Sequence, residues 1–482
     1  MYLITSTQMR AIEDRAIKEL MIPSLLLMEN AAIATVKHIE GQKAVVICGP
    51  GNNGGDGLAI ARLLHVKGMD VQAVFVGDMK SLTGDALVNL NIARKMGLLS
   101  DKGIENLLPS ADTVIDALFG TGLRGPLAGE AAQVVEAINR CTARIVSVDI
   151  PSGVEADTGR VGSTAVRADT TITFGLAKVG LILYPGAEYA GEVVVEDISI
   201  PKDMLVPDGP APEQLTAVSD QLPPRPDRSN KGTFGRVCVI AGSRDMPGAA
   251  VLCCKAAYKA GAGLVHACTA PEVAKTVQAS APEVITSDIA DVKEAVSSAD
   301  VVALGPGLGR GPDIYAFVRE ILESCKKPMV LDADALMAVA QDKSVLHKLQ
   351  ALCVITPHPG EMGALTGMSI PEVLDDLLGC ASSFAQEYGV VTLLKDARTV
   401  IASPCGRMFI NPTGTPALAK AGSGDVLTGV IAAFIAQGLD ALTAAAAGAY
   451  VHGRAGQMAA KDLSLYGVVA SDVIEYVAKI LR

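Results

Sequence analysis

Short apolar runs alternate with longer amphipathic stretches along most of this chain, a rhythm that predicts strands followed by helices. In the first half, Lys43 to Cys48 reads as a strand, a glycine-rich loop follows, and a helix is expected from about Gly54 to Lys67. Val71 to Val76, Thr113 to Ala117 and Arg144 to Val148 are further strand-like runs. The second half repeats the logic with Val237 to Ala241, Leu264 to Cys268, Val301 to Leu304, Met329 to Leu331, Cys353 to Thr356 and Val391 to Leu394. Two long Ala-rich helices are expected after Gly424. Alternation of this kind implies α/β domains built on parallel sheets with right-handed crossovers. Between about Pro201 and Arg236 the rhythm breaks at seven prolines: Pro201, Pro207, Pro210, Pro212, Pro223, Pro224 and Pro226. Prolines at this density resist both helix and central strand, so the segment reads as a linker. It leads into a second domain near Leu215 to Lys231, giving domains 1–215 and 216–482.

Composition narrows the function classes. The 482 residues are half hydrophobic and include 48 glycines, which suits two or three Ala/Gly-rich domains with sizeable cores. Tryptophan is absent and the net charge is -11, which argues against a nucleic-acid or anionic-membrane partner. Ten scattered cysteines form neither a zinc spacing nor a disulfide framework, and read as reduced core thiols of a cytoplasmic protein. No secretory leader is expected at Met1-Tyr2-Leu3-Ile4-Thr5. The apolar stretch Val430 to Val451 is broken by Gln437 and Asp440 and reads as a buried helix pair rather than a membrane span.

Two glycine-rich loops carry an aspartate each. The first is Gly49-Pro50-Gly51-Asn52-Asn53-Gly54-Gly55-Asp56-Gly57, the second Gly422-Ser423-Gly424-Asp425. Free amides at a helix mouth attract phosphate. The first loop formally fits a dinucleotide fingerprint with Asp78 as its acidic partner, but Asp56 would stand where a pyrophosphate should bind. Asn52, Asn53 and Asp56, with Asp116 and Ser152 from neighbouring strand ends, instead offer hard oxygens that suit a hard cation. Asp149 adds a carboxylate suited to proton transfer. Each aspartate taken singly fits a helix or turn cap equally well. In the second loop, a helix dipole stabilises a transferring phosphoryl group and Asp425 can take the proton of an attacking hydroxyl. No Walker lysine accompanies either loop.

The first constellation, continued by Gly120-Thr-Gly-Leu-Arg-Gly-Pro126, Asp149-Ile-Pro-Ser-Gly153 and the opening Thr7-Gln8-Met9-Arg10-x-x-Glu13, resembles the NAD(P)H-hydrate epimerase family. The resemblance implies a Rossmann-like parallel-sheet domain in which Asn53, Asp116 and Ser152 hold K+. It also implies that Asn52, Asn53, Gly54, Gly55, Asp56, Gly120, Thr121, Gly122, Leu123, Arg124, Gly125, Pro126 and Asp149 contact a hydrated NADH or NADPH, with Asp149 as acid/base. The second half resembles the ribokinase-like superfold, and within it the ADP/ATP-dependent NAD(P)H-hydrate dehydratases. The residues that carry this are Lys231-Gly-Thr-Phe-Gly235, Gly305-Pro-Gly-Leu-Gly309, Leu331-Asp-Ala-Asp-Ala-Leu336, Thr356-Pro-His-Pro-Gly-Glu361 and Leu394-Lys-Asp-Ala-Arg-Thr399. By that resemblance Ala249, Gly307, His358 and Asp425 contact the hydrate. Lys395, Asp396, Ala397, Arg398, Thr399 and Gly424 contact ADP or ATP, Mg2+ bridges the phosphates, and Asp425 activates the ring hydroxyl. His358 between prolines also fits a loop hydrogen bond, and Asp396 places a carboxylate near the nucleotide phosphates. The expectation is thus a two-activity repair enzyme, a homo-oligomer acting on small molecules. Two rivals remain: a ribokinase-type small-molecule kinase, which would make a stable phosphorylated product, and an N-terminal half that binds without catalysing.

Overall fold

The computed structural model describes residues 1–217 and 222–482; residues 218–221, inside the expected linker, lie outside the described residues. The chain forms two compact units, Met1–Pro212 and Glu213–Arg482.

The first unit is built on six strands: β1 (Lys43–Cys48), β2 (Asp70–Phe75), β3 (Thr113–Ala117), β4 (Arg144–Val148), β5 (Thr170–Phe174) and β6 (Glu192–Glu196). They lie in the order β2-β1-β3-β4-β5-β6, all parallel. Every residue of β3 and β5 is buried, as expected for strands covered by helices on both faces. The chain runs outward from β1 to β2 and then returns to β3 on the other side of β1. Such a reversal opens a crevice at the carboxyl ends of the two strands. The glycine loop follows β1 and the Asp116 loop closes β3, so both meet at that crevice. The N-terminal segment is tied to the same end of the sheet. Ile4 pairs with Lys178, its N–H donating to the Ala177 carbonyl at 3.0 Å, and its carbonyl accepts from the Val179 N–H at 3.1 Å. A capping box of Thr5 and Gln8 then starts the helix Ser6–Glu19, which carries Glu13 over the crevice.

The second unit holds a ten-stranded sheet. Its strands are β7 (Pro212–Gln214), β8 (Arg236–Ile240), β9 (Leu264–Thr269), β10 (Ile285–Asp288), β11 (Val301–Leu304), β12 (Met329–Leu331), β13 (Cys353–Ile355), β14 (Val391–Leu394), β15 (Thr399–Ala402) and β16 (Met408–Asn411). The order is β10-β9-β8-β11-β12-β13-β14-β15-β16-β7, with the reversal between β8 and β11. The run from β10 to β14 is parallel, but β14, β15 and β16 pair antiparallel, so strand–helix alternation stops there. Residues 395–398 are therefore the turn of a hairpin rather than a strand-to-helix loop. Pro212 opens an edge strand inside the expected linker, a place where the missing N–H is harmless. The helix Ser423–Ala436 begins one residue before Gly424 and packs on the helix Pro247–Lys259. A Cβ at Gly429 would stand 2.2 Å from the Cys253 carbonyl oxygen, so only glycine permits this approach. The helix Ala441–Leu463 completes the buried pair, and among the described residues no helix is long and apolar enough to cross a membrane.

Candidate functional site

The crevice of the first unit is a cleft of about 960 Å³. Of the residues expected there, Asn52, Asn53, Asp56, Gly120, Thr121, Gly122, Leu123, Arg124 and Asp149 line it. Gly54 and Gly55 are buried in the first turn of the helix Asn52–Val66, behind the lining. Gly125 and Pro126 lie further along their loop and are not part of the wall. Asp149 follows the end of β4 with φ 66, a left-handed conformation uncommon outside glycine, while its N–H donates to the Ile172 carbonyl at 2.7 Å. That kink hands its carboxylate to Lys178, which follows β5. The Lys178 ammonium donates to Asp149 Oδ1, to Thr173 Oγ1 at 3.0 Å and to the Phe174 carbonyl at 3.2 Å, so its three hydrogens are all placed. Lys178 is 1 % exposed, and its ion pair with the partly buried Asp149 forms part of the cleft wall. Two further carboxyls face the pair. Burial pushes Glu13 up to about 7; Lys178 opposes that shift and Asp149 adds to it. Burial likewise pushes Asp56 well above the usual carboxylate range, with Asp149 and Glu13 adding to the effect.

Behind this wall Asp116 is fully buried. Its carboxylate accepts from Ser147 Oγ at 2.8 Å, from the Ser152 N–H at 2.9 Å and Oγ at 2.6 Å, and from the Leu118 N–H at 3.3 Å. Burial nevertheless raises its pKa, with those bonds opposing. Asn53 stands against Gly120 with its amide nitrogen buried and unpartnered. The two ends of a side-chain amide exchange places on a flip, which would aim the Asn53 oxygen into the same position. A buried carboxylate at an electrostatic cost, a hydroxyl and an orphaned amide form a hard-oxygen set suited to an alkali cation.

In the second unit the centre is Asp332, 1 % exposed at the end of β12. Its Oδ1 accepts from Lys395 Nζ and Thr356 Oγ1, each at 2.8 Å, and its Oδ2 from Thr428 Oγ1 at 2.8 Å. Against the cost of burial, Lys395 and these hydroxyls hold the Asp332 carboxyl below its ordinary range. Burial also works against the Lys395 charge, but Asp332 and Glu361 outweigh it. A Cβ at Gly424 would stand 3.4 Å from both Lys395 Nζ and Asp332 Oδ2, so the helix mouth lies directly on this ion pair. Gly422 turns the chain into that helix with φ 89, a conformation that favours glycine. Asp425 sits in the first turn, and burial, reinforced by Asp332, pushes its carboxyl up to about 7. Beside it, Ser423 Oγ lies 3.2 Å from Nε2 of His452, whose pKa burial lowers to about 4.

A Cβ at Gly307 would stand 2.8 Å from the Ala249 Cβ, so these two residues are close neighbours. His358 caps the helix Pro359–Thr366: its Nδ1 accepts from the Gly360 and Glu361 N–H groups at 3.0 and 3.3 Å, while Glu361 Oε2 accepts the His358 N–H at 2.9 Å. The ring therefore makes the loop hydrogen bond that the sequence also allowed, with Nε2 3.5 Å from Glu361 Oε1. Lys395, Asp396, Ala397 and Arg398 form the β14–β15 turn and Thr399 starts β15 opposite Asn411. Burial raises the Asp396 pKa, with the Ala397 backbone N–H opposing the shift.

Glu13, Lys178, Asp332 and Glu361 stand outside the residue set drawn from the sequence. Lys178 lies in the apolar run Phe174-Gly-Leu-Ala-Lys-Val-Gly-Leu181 just after a strand, and a lysine there is itself a signal, because burial of its charge requires a partner.

The family model described as NAD(P)H-hydrate dehydratase matches residues 237–479, and that described as YjeF-related protein N-terminus matches residues 24–180. The bifunctional NAD(P)H-hydrate repair enzyme Nnr of Moorella thermoacetica is 41% identical over 513 residues, covering 100% of this chain and 97% of that protein. Among solved structures, an ADP/ATP-dependent NAD(P)H-hydrate dehydratase from Bacillus subtilis, co-crystallised with ATP and Mg2+, is similar with TM-score 0.50 and 30% identity, over 55% of this chain and 94% of that one. A ribokinase-like superfamily protein from Enterococcus faecalis is similar with TM-score 0.51 and 27% identity, over 56% of this chain and 95% of that one.

Proposed function

This chain belongs to the family of bifunctional NAD(P)H-hydrate repair enzymes, and from that membership we propose that its two units divide one repair between them. The first unit interconverts the R and S forms of hydrated NADH or NADPH. The second dehydrates the S form, using ADP (or ATP) and giving AMP (or ADP) and phosphate. The observation that carries the reading is the joint placement of Asp425 and the Lys395–Asp332 pair at one helix mouth. Amides and an ammonium there stabilise negative charge on a terminal phosphoryl group. Asp425 removes the proton of the ring hydroxyl as its oxygen bonds to phosphorus and the bond to the nucleotide breaks. The new ester then leaves as phosphate, the ring loses a proton, and the double bond returns. Phosphate departs far more readily than hydroxide, which is the role of the nucleotide.

Mg2+ fits this site as a companion of the nucleotide. Among the described residues no group of three or more His, Cys, Asp or Glu forms a closed metal cage. The Asp332 charge is already matched by the Lys395 ammonium, which leaves Glu361, whose raised pKa an adjacent cation would reverse. Glu361 would hold a magnesium that keeps several waters, and the ion would neutralise phosphate charge. In the first unit Asn53, Asp116 and Ser152 would hold K+, which supplies a fixed positive charge under the substrate loop. Epimerisation is therefore expected to fall when lithium replaces potassium, while dehydration of the pure S form does not change. Equal epimerisation rates in the two salts would remove the potassium assignment.

Asn52, Asn53, Gly54, Gly55 and Asp56, the loop Gly120 to Pro126 and Asp149 are assigned to the hydrate in the first unit. Ala249, Gly307, His358 and Asp425 are assigned to it in the second, and Lys395 to Thr399 with Gly424 to the nucleotide. A cytoplasmic location fits ten free thiols. Exposed Leu25, Leu26 and Ile33 on the helix Ser24–Val36 favour a homo-oligomer. The test of the whole reading feeds an R/S mixture of NADH hydrate to the protein with ADP and, separately, with ATP. Full conversion to NADH with release of phosphate is expected from one of the two. Conversion of the S portion alone would leave the first unit without its activity, and a stable phosphorylated product would favour the kinase reading.

A further inference from the structure

We propose that Glu13 is a catalytic acid of the first site, facing Asp149 across the cleft and donating the proton that releases the ring hydroxyl as water. The inference rests on the epimerase reading above and deepens it. Glu13 reaches the cleft from outside the sheet, on the helix Ser6–Glu19, whereas Asp149 rises from the strand ends. Its placement is built rather than incidental. The Ile4–Lys178 bridge, and the Asp157 carboxylate accepting from Ser6 N–H at 2.6 Å and Oγ at 3.1 Å, pin the start of that helix to the loops that carry the site. Among the described residues no side chain hydrogen-bonds the Glu13 carboxyl, which is spent neither on a cap nor on an ion pair, unlike Asp149 with its lysine.

Two carboxyls whose surroundings differ this strongly form an acid/base couple. Hydration of an enamine leaves the hydroxyl on the carbon next to nitrogen. Inversion there requires the C–O bond to break and re-form from the other face. Glu13 gives its proton to the departing oxygen, which takes the bonding pair and leaves as water, while the ring nitrogen lone pair fills the carbon. A second water adds from the opposite face and passes its proton to Asp149. Both carboxyls then re-equilibrate with solvent, so atoms and protons balance over the cycle.

The charged groups facing Glu13 are Lys178, Asp149 and Asp56 across the cleft, with Arg10 and Asp14 on its own helix. With burial the dominant influence and a resulting value of about 7, the protonated form that donates is lost as pH rises through neutrality. Epimerisation of purified R hydrate, followed by separating the two epimers without nucleotide, is therefore expected to decline above about pH 7. Glu13→Gln is expected to lower the turnover by about 10²–10⁴-fold and to abolish that decline. Dehydration of pure S hydrate by the same preparation reports an intact second unit and is expected to stay unchanged, while an unfolding transition of the first unit that matches the unsubstituted protein by calorimetry reports that this unit is folded. Epimerisation within threefold of the unsubstituted protein, or a slow variant that keeps the decline near neutrality, overturns the role. Should Glu13→Gln fail to fold, Glu13→Asp decides: it keeps the acid but withdraws it by one methylene, so a slower reaction with the decline retained is expected, and an unchanged rate overturns the role. If the unsubstituted protein itself does not epimerise, the epimerase reading fails rather than the assignment of Glu13 within it.

Discussion

Asp425→Asn is expected to cut dehydration of the S hydrate by about 10²–10⁴-fold, the range that a positioned general base contributes, and at the same time to raise the unfolding temperature above neutral pH. Both effects come from one environment. Burial and the neighbouring Asp332 push the Asp425 carboxyl from an ordinary value of 3.8 up to about 7. Because the base acts when ionised, kcat/KM of the native enzyme should climb through about pH 7 and level off above it. The same shift acts on stability with the opposite sense. A carboxyl whose folded value is raised holds its proton more tightly in the native state than in the unfolded one. Its ionisation costs nothing below about pH 4, costs more through the window from 3.8 to about 7, and is fully unfavourable above that. Asparagine removes that charge, so the gain in unfolding temperature should be clear at pH 8 and vanish near pH 4. Calorimetry at the two pH values, with phosphate release assayed beside it, checks both halves. A variant that still dehydrates within threefold of the native rate removes Asp425 from catalysis. A gain in stability that ignores pH removes the electrostatic account. The substitution also separates chemistry from binding: phosphate-binding amides at Gly424 stay in place, so the nucleotide should still bind.

The strands that could be read residue for residue from the sequence are those buried on both faces and closed by turn residues: β1, β3, β4, β11, β12 and β14 all begin and end where the apolar runs do. Those that escaped are different in kind. Thr170-Thr-Ile-Thr-Phe174 becomes β5 because its threonines are covered, one of them bonding the Ala190 carbonyl at 2.7 Å, a satisfaction that no window of sequence contains. β15 and β16 form an antiparallel extension whose register is set by tertiary pairing with β14. The glycine loops and the aspartates at strand ends were legible because turn chemistry and topology put them at crevices without reference to distant residues. The pairings of Lys178 and of Asp332, although the latter also stands at a strand end, were not, since each is defined by a partner far along the chain: Lys178 by Asp149, 29 residues away, and Asp332 by Lys395, 63 residues away. A sequence shows the charge but not whether burial forces it into a pair. Glu13 shows the converse. Its helix belongs to the opening motif, yet the property that singles it out is its place in a cleft that its own helix shares with distant elements.

The second large effect is expected at Lys178. Methionine has nearly the same length and would fill the space, so Lys178→Met isolates the loss of charge. With the ammonium gone, Asp149 is left half-buried beside Thr173, whose hydroxyl is 3.1 Å away and alone cannot replace it. Breaking one partner of a buried pair costs about 3–5 kcal/mol. In a unit of this size that corresponds to a fall of roughly 6–20 °C in unfolding temperature. Epimerisation should drop by at least about 100-fold, because the carboxylate loses the contact that fixes its direction toward the substrate. Dehydration of the S form, carried out by the other unit, reports that the remainder of the chain is intact. Calorimetry on the double variant Lys178→Met with Asp149→Asn then tests the cause. Removing both charges together should recover most of the stability and none of the epimerase activity, since a neutral amide beside methionine carries no uncompensated charge and performs no proton transfer. If the double variant is instead as unstable as the two single losses added, the pair is not an electrostatic unit, and Lys178 holds this corner of the fold by packing alone.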